Sequence, residues 1–428
     1  VLYLYDLKKI LNIYTSSSTD AYTSFHRVLS VVGISIFANE NWNSKTWFIL
    51  QTFNFFVGMM CFFFTTGFVI DNVSNLLLFI QGACVWTTGV IMTLSLGVCL
   101  YFKNDFREFL NEMAFKDKVL EIPLIKYILY QDNLSGKNLM QLKELVTGTQ
   151  KNTLKYIKFL LKLYVMSVWL CVTLYMSTPI YLMNIRNDQS ERLLAFDMWF
   201  PWSLENFAVY IASFTFHAYC GYLCSYPGLQ STIILLLAQV IRQLKILTFI
   251  LLHLSELGYE ITGNDPKRWQ TCCTAILTQC IDHYVKIKRF SNKLNIICRP
   301  FYLTLILVAI MLVCMCSVKI AISNKLSPDT MKYYVHEFCF ILVVLMFCIV
   351  GQQVENECEL LENAVTEKWY IYDRSHKKNV LIFNMALSQR MPIYIFGTIT
   401  LSLPTFTWFL KTGMSFFTLV MSVLDEEH

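Results

Sequence analysis

The sequence predicts an all-α membrane protein: seven transmembrane helices, N-terminus inside, C-terminus outside, and a cytoplasmic helical anchor bundle. Three observations predict it. Of 428 residues, 55% are hydrophobic and mean hydropathy is +0.47, far above that of a water-soluble domain. Seven runs are apolar over the roughly 20 residues needed to cross a bilayer. They are 47–69, 76–101, 159–181, 206–229, 301–323, 334–351 and 392–421. Finally, with the N-terminus in the cytoplasm, inside segments 1–46, 102–157, 242–299 and 352–391 carry 27 Lys and Arg, and the outside segments carry 4. Basic residues collect on the cytoplasmic side of membrane proteins, so the net charge of +5 reports orientation and not nucleic-acid binding.

The elements follow in order along a single subunit, 1–428. Residues 1–46 form a polar-aromatic cytoplasmic segment with a short helix along the membrane. They lack the basic start and continuous apolar core of a secretory signal. Spans one to four occupy 47–241. The loop after span two is charged and cytoplasmic, so its Asn133-Leu134-Ser135 sequon should be silent, and Asn72-Val73-Ser74 is pressed against the membrane outside. In the outer segment after span three, Trp199, Phe200 and Trp202 flank Pro201. They read as interfacial aromatics or as a lid over a cavity. Span four runs on without a break through STIILLLAQVIRQLKILTFILLHL.

Segments 242–299 and 352–390, which flank spans five and six at 300–351, are expected to be anchor helices. Cys273, Leu277, Cys280, Tyr284, Phe290, Leu294 and Ile297 fall on one apolar side of the first. Val354, Cys358, Leu361, Val365 and Trp369 recur at three- and four-residue steps in the second. Apolar faces in water need partners, so these segments should pack into a bundle below the membrane that holds subunits together. All 15 cysteines lie in spans or cytoplasmic segments, which excludes an extracellular disulfide framework. Cys272, Cys273 and Cys280 lack the paired spacing of a zinc site; neither metal nor cofactor is expected. The chain has no HExxH, and only His217 and His336 lie in or at the ends of spans, so an enzyme is not expected.

The last span, within 391–424, is interrupted by hydroxyls. Thr405, Thr412, Leu419 and Val423 fall near one helical stripe, with Trp408, Ser415 and Ser422 beside it. Such a stripe serves either close packing on a neighbouring helix or a water-facing wall. Asp425, Glu426 and Glu427 follow at the outer end.

These pieces, in this order, carry a resemblance. AFDMWFPWSLENFAVYIASFTFHAY, LTQCIDHYVKIKRFSNKL, ENECELLENAVTEKWY followed by MALSQRMPI, and SLPTFTWFLKTGMSFFTLV resemble the outer loop and fourth span, the helix before the fifth span, the segment after the sixth, and the final helix of insect odorant receptors. The resemblance implies an odorant-gated, non-selective cation channel in the plasma membrane of a sensory neuron. It implies a tetramer with the shared olfactory coreceptor, the last helix of each subunit lining a central pore. The compact segment before span five and the end VLDEEH are unlike the coreceptor, which implies the odorant-binding tuning subunit. On this reading Thr405, Thr412 and Ser415 form a wettable pore wall and Leu419 and Val423 a dewetting gate. Asp425, Glu426 and Glu427 then form a cation-concentrating mouth.

The ligand pocket is expected in the outer half of the membrane between spans two, three, four and six, lined by Phe79, Ala83, Trp86, Tyr175, Met176, Phe207, Tyr210, Phe214 and Tyr333. Aromatics and Met suit a small, volatile, lipophilic ligand. Two alternatives stand beside this reading. A gustatory receptor would share the architecture but carry a Thr-Tyr pair and a Gln-Phe pair where this chain reads Met414-Ser415-Phe416-Phe417-Thr418-Leu419. A G-protein-coupled receptor would have its N-terminus outside.

Overall fold

The structure is a computed structural model and describes residues 44–112, 118–131, 135–186, 192–263, 265–323 and 327–426. The expected N-terminal helix, Asn133 and Leu134 of the inside sequon, and Glu427 lie outside these residues. Seven helices are long and apolar enough to cross a membrane, as the hydropathy predicts.

Helices α1 (Ser44–Asp71) and α2 (Leu76–Tyr101) form a hairpin. Its turn is closed by Asn75, whose side chain accepts from the Leu78 backbone N–H at 3.3 Å, a standard N-terminal cap. The charged loop follows as short helices α3 (Lys103–Leu110) and α4 (Pro123–Tyr130). Helix α5 (Lys137–Arg186) runs 50 residues. Its first turn is capped from a distant segment: Glu260 accepts from the backbone N–H of Asn138 at 3.0 Å and of Leu139 at 2.9 Å. A carboxylate there offsets the unpaired donors and the positive helix end. Gly136 leaves room for this cap, since a Cβ there would stand 2.0 Å from Glu260 Oε2 and push the carboxylate aside.

Span four is not continuous. Helix α6 (Phe207–Tyr219) passes into a π-turn at Cys220–Cys224, breaks at Ser225–Pro227, and resumes as α7 (Gly228–Leu252). Pro227 has no N–H to donate and bars its predecessor from helical geometry, so the break falls within 206–229, while the stretch expected to run on without a break, 231–254, is helical through Leu252. Helix α7 is buried on almost every side, its buried Arg242 donating to Gln239 Oε1 at 3.0 Å. It forms the axis around which α2, α5, α9 (Pro266–Ile322) and α10 (Pro328–Thr366) pack. Helix α8 (Leu254–Thr262) links α7 to α9.

The long helices extend together at one end of the bundle, while the other end carries the short turns and the segment before α6. In the extension, Cys273, Leu277, Cys280, Tyr284, Phe290, Leu294 and Ile297 are all buried, as are Val354, Cys358, Leu361 and Val365. These faces pack within this one chain, so they are not free to hold another subunit in the way the sequence suggested. Trp369 leaves the stripe: α10 ends at Thr366, Lys368 adopts φ 52, and Trp369 is exposed. The intervening lysines tie the periphery. Lys286 reaches Glu121 at 2.7 Å, and Lys293 reaches Asp105 and Glu108 at 3.0 and 2.9 Å.

Helix α11 (Arg374–Leu387) lies against this end. The expected last span, 392–421, is shorter than its hydropathy. Its first part is a small hairpin, β1 (Tyr394–Phe396) with β2 (Ile399–Thr400), turned by Gly397 at φ +53. A run rich in Ile and Thr favours extended backbone, and only then does α12 (Leu403–Glu426) begin.

Candidate functional site: a membrane cavity and an unpacked last helix

One face of α2 carries Val85, Thr88, Met92 and Ser95 at steps of three and four residues. With Tyr164, Cys171 and Tyr175 of α5, Cys220 and Cys224 of the π-turn, Gln230 of α7, and His336 and Cys339 of α10, it surrounds a cavity of about 100 Å³. Spans two, three, four and six contribute, as expected, joined by Cys61 of α1 and by Phe196 and Met198 of the outer segment. π-turns recur at functional sites because they free backbone geometry inside a helix. Here the turn and the Pro227 break place Cys220, Cys224 and Gln230 around one space.

The walls are mostly apolar, with polar groups held in fixed arrangements. The His336 ring lies 2.7 Å by Nε2 from Thr88 Oγ1 and 3.0 Å by Nδ1 from Tyr175 Oη. The Tyr175 ring meets the imidazole edge-on at 5.6 Å. Deeper along the same α2 face, Gln230 Nε2 donates to Ser95 Oγ at 3.3 Å.

Of the nine residues expected to line a pocket, Tyr175 lines this cavity. Tyr333 is buried beside it, its ring 6.1 Å from that of Tyr175. Trp86 turns to α1 and donates to Thr66 Oγ1 at 3.0 Å. Ala83 is buried, and Phe79 packs among Leu76, Val318 and Phe417. Met176 and Phe214 pack with Val172 and Ala195. Tyr210 donates to the Leu193 carbonyl at 3.0 Å, and Phe207 is exposed.

The common cause is the outer segment after α5. It folds inward, with Trp199 N–H on the Phe64 carbonyl at 3.0 Å and Trp202 Nε1 on Ser213 Oγ at 3.2 Å. Its Ala195, Phe196 and Met198 fill the outermost space and leave the cavity below them. Phe196 and Met198 are the residues of this segment that cover the cavity, while Trp199 and Trp202 stay exposed and do not line it. Thr88, Ser95, Gln230 and His336 were not singled out as lining by sequence reasoning, although polar residues within spans are the signal that marks them.

The last helix is the least covered of the seven spans. Phe409, Gly413, Phe417, Val420 and Leu424 face the bundle, with Gly413 close against Val313. Leu419 is 58% exposed and Val423 45%, and Ser415 is exposed beside them. Thr412 is half-buried. Its hydroxyl donates to the Trp408 carbonyl and that of Ser415 to the Lys411 carbonyl, at 2.8 and 2.9 Å. These hydroxyls are therefore satisfied locally, and among the described residues Ser415, Leu419 and Val423 stay exposed. Thr405 departs from the stripe: it is buried and donates to the Thr400 carbonyl at 2.7 Å, fastening the hairpin to the helix start. Asp425 and Glu426 are the last helical residues.

The pattern of the family described as 7tm odorant receptor matches residues 130–414, most of the chain. The protein belongs to the insect odorant receptor family. This family consists of ligand-gated membrane channels and not of enzymes. Two solved structures share the receptor's fold. The insect olfactory receptor OR5 from Machilis hrabei in complex with eugenol aligns with TM-score 0.73 at 11% identity, covering 94% of this chain and 99% of that one. A second structure of OR5 from Machilis hrabei aligns with TM-score 0.72 at 12% identity over the same shares. No curated protein matches the chain.

Proposed function

We propose that this receptor is the odorant-binding tuning subunit of a non-selective cation channel. Its cavity takes a small, volatile, lipophilic odorant, and α12 lines a central pore in a tetramer with the olfactory coreceptor. The observation that carries the reading is the face of α12 bearing Ser415, Leu419 and Val423, which is left exposed by the described residues. In a tetramer, four such faces converge: aliphatic side chains make a constriction that excludes water, above a wall wetted by Thr412 and Ser415. Asp425, Glu426 and Glu427 would concentrate cations at the outer mouth. The apolar walls support a lipophilic ligand, and eugenol in OR5 is such a ligand. The subunit contacts fall to the outward side of α11, where Leu381, Ile382 and Met385 are exposed.

The test is whole-cell recording with the coreceptor, with G-protein signalling blocked by a non-hydrolysable GDP analogue. A prompt odorant-evoked cation current is expected. No current from a complex shown to be at the surface would refute the channel reading.

A further inference from the structure

We propose that Lys151, Lys155, Lys158 and Lys162 on α5 form a binding surface for a polyphosphorylated inositol lipid of the inner leaflet. The proposal stands on the inside N-terminus given by the Lys and Arg bias, and not on the channel reading.

The four lysines recur at steps of four, three and four residues. At about 100° per residue they fall within an arc of about 60° on one side of the helix. Leu154, Ile157, Leu161 and Tyr164 take the buried side. Lys151, Lys155 and Lys162 are exposed and Lys158 is half-buried. The orientation bias explains how many basic residues lie inside, but it does not align them. Elsewhere at the cytoplasmic end, Lys245, Lys286, Lys293, Lys368 and Arg390 each reach a carboxylate. Among the described residues, no carboxylate pairs with any of the four stripe lysines, and no Asp or Glu occurs between Glu144 and Asp188.

The same side of α5 continues into the membrane. Met166 and Trp169, four and seven residues beyond Lys162, are 56% and 43% exposed. One face therefore offers cations where headgroups lie and bare apolar surface where acyl chains lie, in the order a phospholipid presents them. From Lys151 to Lys162 is eleven residues, about 16 Å of helix, whereas the headgroup layer of one leaflet is about 6 Å deep. A single phosphodiester meets only the lysines nearest the hydrocarbon. The outer lysines need phosphates that project into the water, and a phosphorylated inositol ring carries them. Clusters of about four to eight Lys or Arg beside a span recognise such headgroups.

The test is fluorescence-polarisation titration of the purified full chain, in a neutral detergent, with a dye-labelled phosphatidylinositol 4,5-bisphosphate. Each lysine beside an anionic surface strengthens binding about fivefold. Changing all four to Gln should accordingly weaken binding at least about tenfold, while changing all four to Arg should keep it. Unlabelled dioctanoyl phosphatidylinositol 4,5-bisphosphate should displace the probe at concentrations at least about tenfold below those of dioctanoyl phosphatidylserine or of inositol 1,4,5-trisphosphate. Equal competition by the serine lipid would overturn the headgroup class. Equal competition by the trisphosphate would overturn the lipid, since a soluble phosphate would then suffice. Wild-type binding by the Gln variant would overturn the stripe. So would a Gln variant that binds as the wild type but changes oligomeric size, which would assign the stripe to another subunit. If the fourfold Gln variant unfolds below the wild-type temperature, Lys155→Gln and Lys158→Gln singly carry the test. Each should then weaken binding about fivefold, and no loss in either would overturn the proposal.

Discussion

Replacing Gly351 with alanine would test how α10 is coupled to the foot of the last helix. Gly351 lies where α10 crosses the hairpin before α12. A Cβ at this position would stand 2.1 Å from the Leu401 carbonyl oxygen and 2.8 Å from the Leu401 Cβ. Real contacts of this kind begin above 3.0 Å, so the two backbones must separate by about 1 Å. Neither side yields easily. Leu401 is buried and its N–H is held by the Ile393 carbonyl at 2.8 Å, and the next turn is tied through Leu403 N–H to Gln352 Oε1 at 3.3 Å.

Overpacking of this kind costs about 1–3 kcal/mol, here charged to the seating of α12 on α10. Along the same helix, His336 at the cavity is fifteen residues from Gly351, about 22 Å of rigid α-helix. Strain at one end therefore bears on the other. A bias of about 1.4 kcal/mol between channel states changes their ratio tenfold. Gly351→Ala should accordingly shift the odorant dose–response curve or the basal current at least about fivefold, at matched surface expression. Gly148, where an added Cβ would meet nothing within 4 Å, supplies the control, and Gly148→Ala should leave both unchanged. Gly351→Ala with wild-type currents and wild-type thermal stability would refute the close approach and the coupling drawn from it.

Three further outcomes follow from other contacts. Glu260→Gln keeps the shape but loses the charge that caps α5, and should lower the stability of the purified receptor by about 1–2 kcal/mol in thermal unfolding. Met385→Asp places a charge on the outward side of α11, where Met385 is 74% exposed; it should abolish co-purification with the coreceptor and leave the chain folded, whereas Leu361→Glu, at 0% exposure, should prevent folding itself. His376 is buried at the cytoplasmic end, its ring stacked on Tyr372 at 3.9 Å and its Nδ1 3.2 Å from Thr274 Oγ1; burial pushes its pKa down from 6.5 to about 4, against the opposing pull of Asp373. The unfolded chain therefore binds a proton that the folded chain refuses, and stability should fall as pH drops from about 6.5 toward 4, a dependence that His376→Gln should reduce in unfolding measured across that range.

Hydropathy and the Lys and Arg distribution carry the seven spans because bilayer length and charge bias act residue by residue. The buried faces at Cys273 to Ile297 and Val354 to Val365 were legible for a similar reason: a helix writes its buried side at fixed spacing. What occupies that side is not written there. The same stripe serves packing within a chain or between chains, and here it serves the former. The hairpin at 394–400 escaped because MPIYIFGTITLSL is as apolar as the helix after it, and short apolar runs do not reveal their period. Pro392, Gly397 and Pro404 were the available signs of a break. The cavity lies among the spans expected to hold the ligand pocket but is lined by few of the outer aromatics that the sequence offers. Its position depends on Ala195, Phe196 and Met198 folding inward, a long-range event that no local pattern encodes.

Cysteine accessibility reads out whether the exposed stripe of α12 faces the ion path. Residues 403–426 contain no cysteine, so each engineered thiol there reports its own surroundings. Ser415→Cys, Leu419→Cys and Val423→Cys would be compared with Phe417→Cys and Val420→Cys, which pack on the bundle. A charged, membrane-impermeant methanethiosulfonate would be applied from outside during odorant-evoked current. Irreversible loss of current is expected at positions 415, 419 and 423, faster with odorant than without, and no effect at 417 and 420. Current that survives at all three stripe positions, or is lost equally on both faces of the helix, would contradict it.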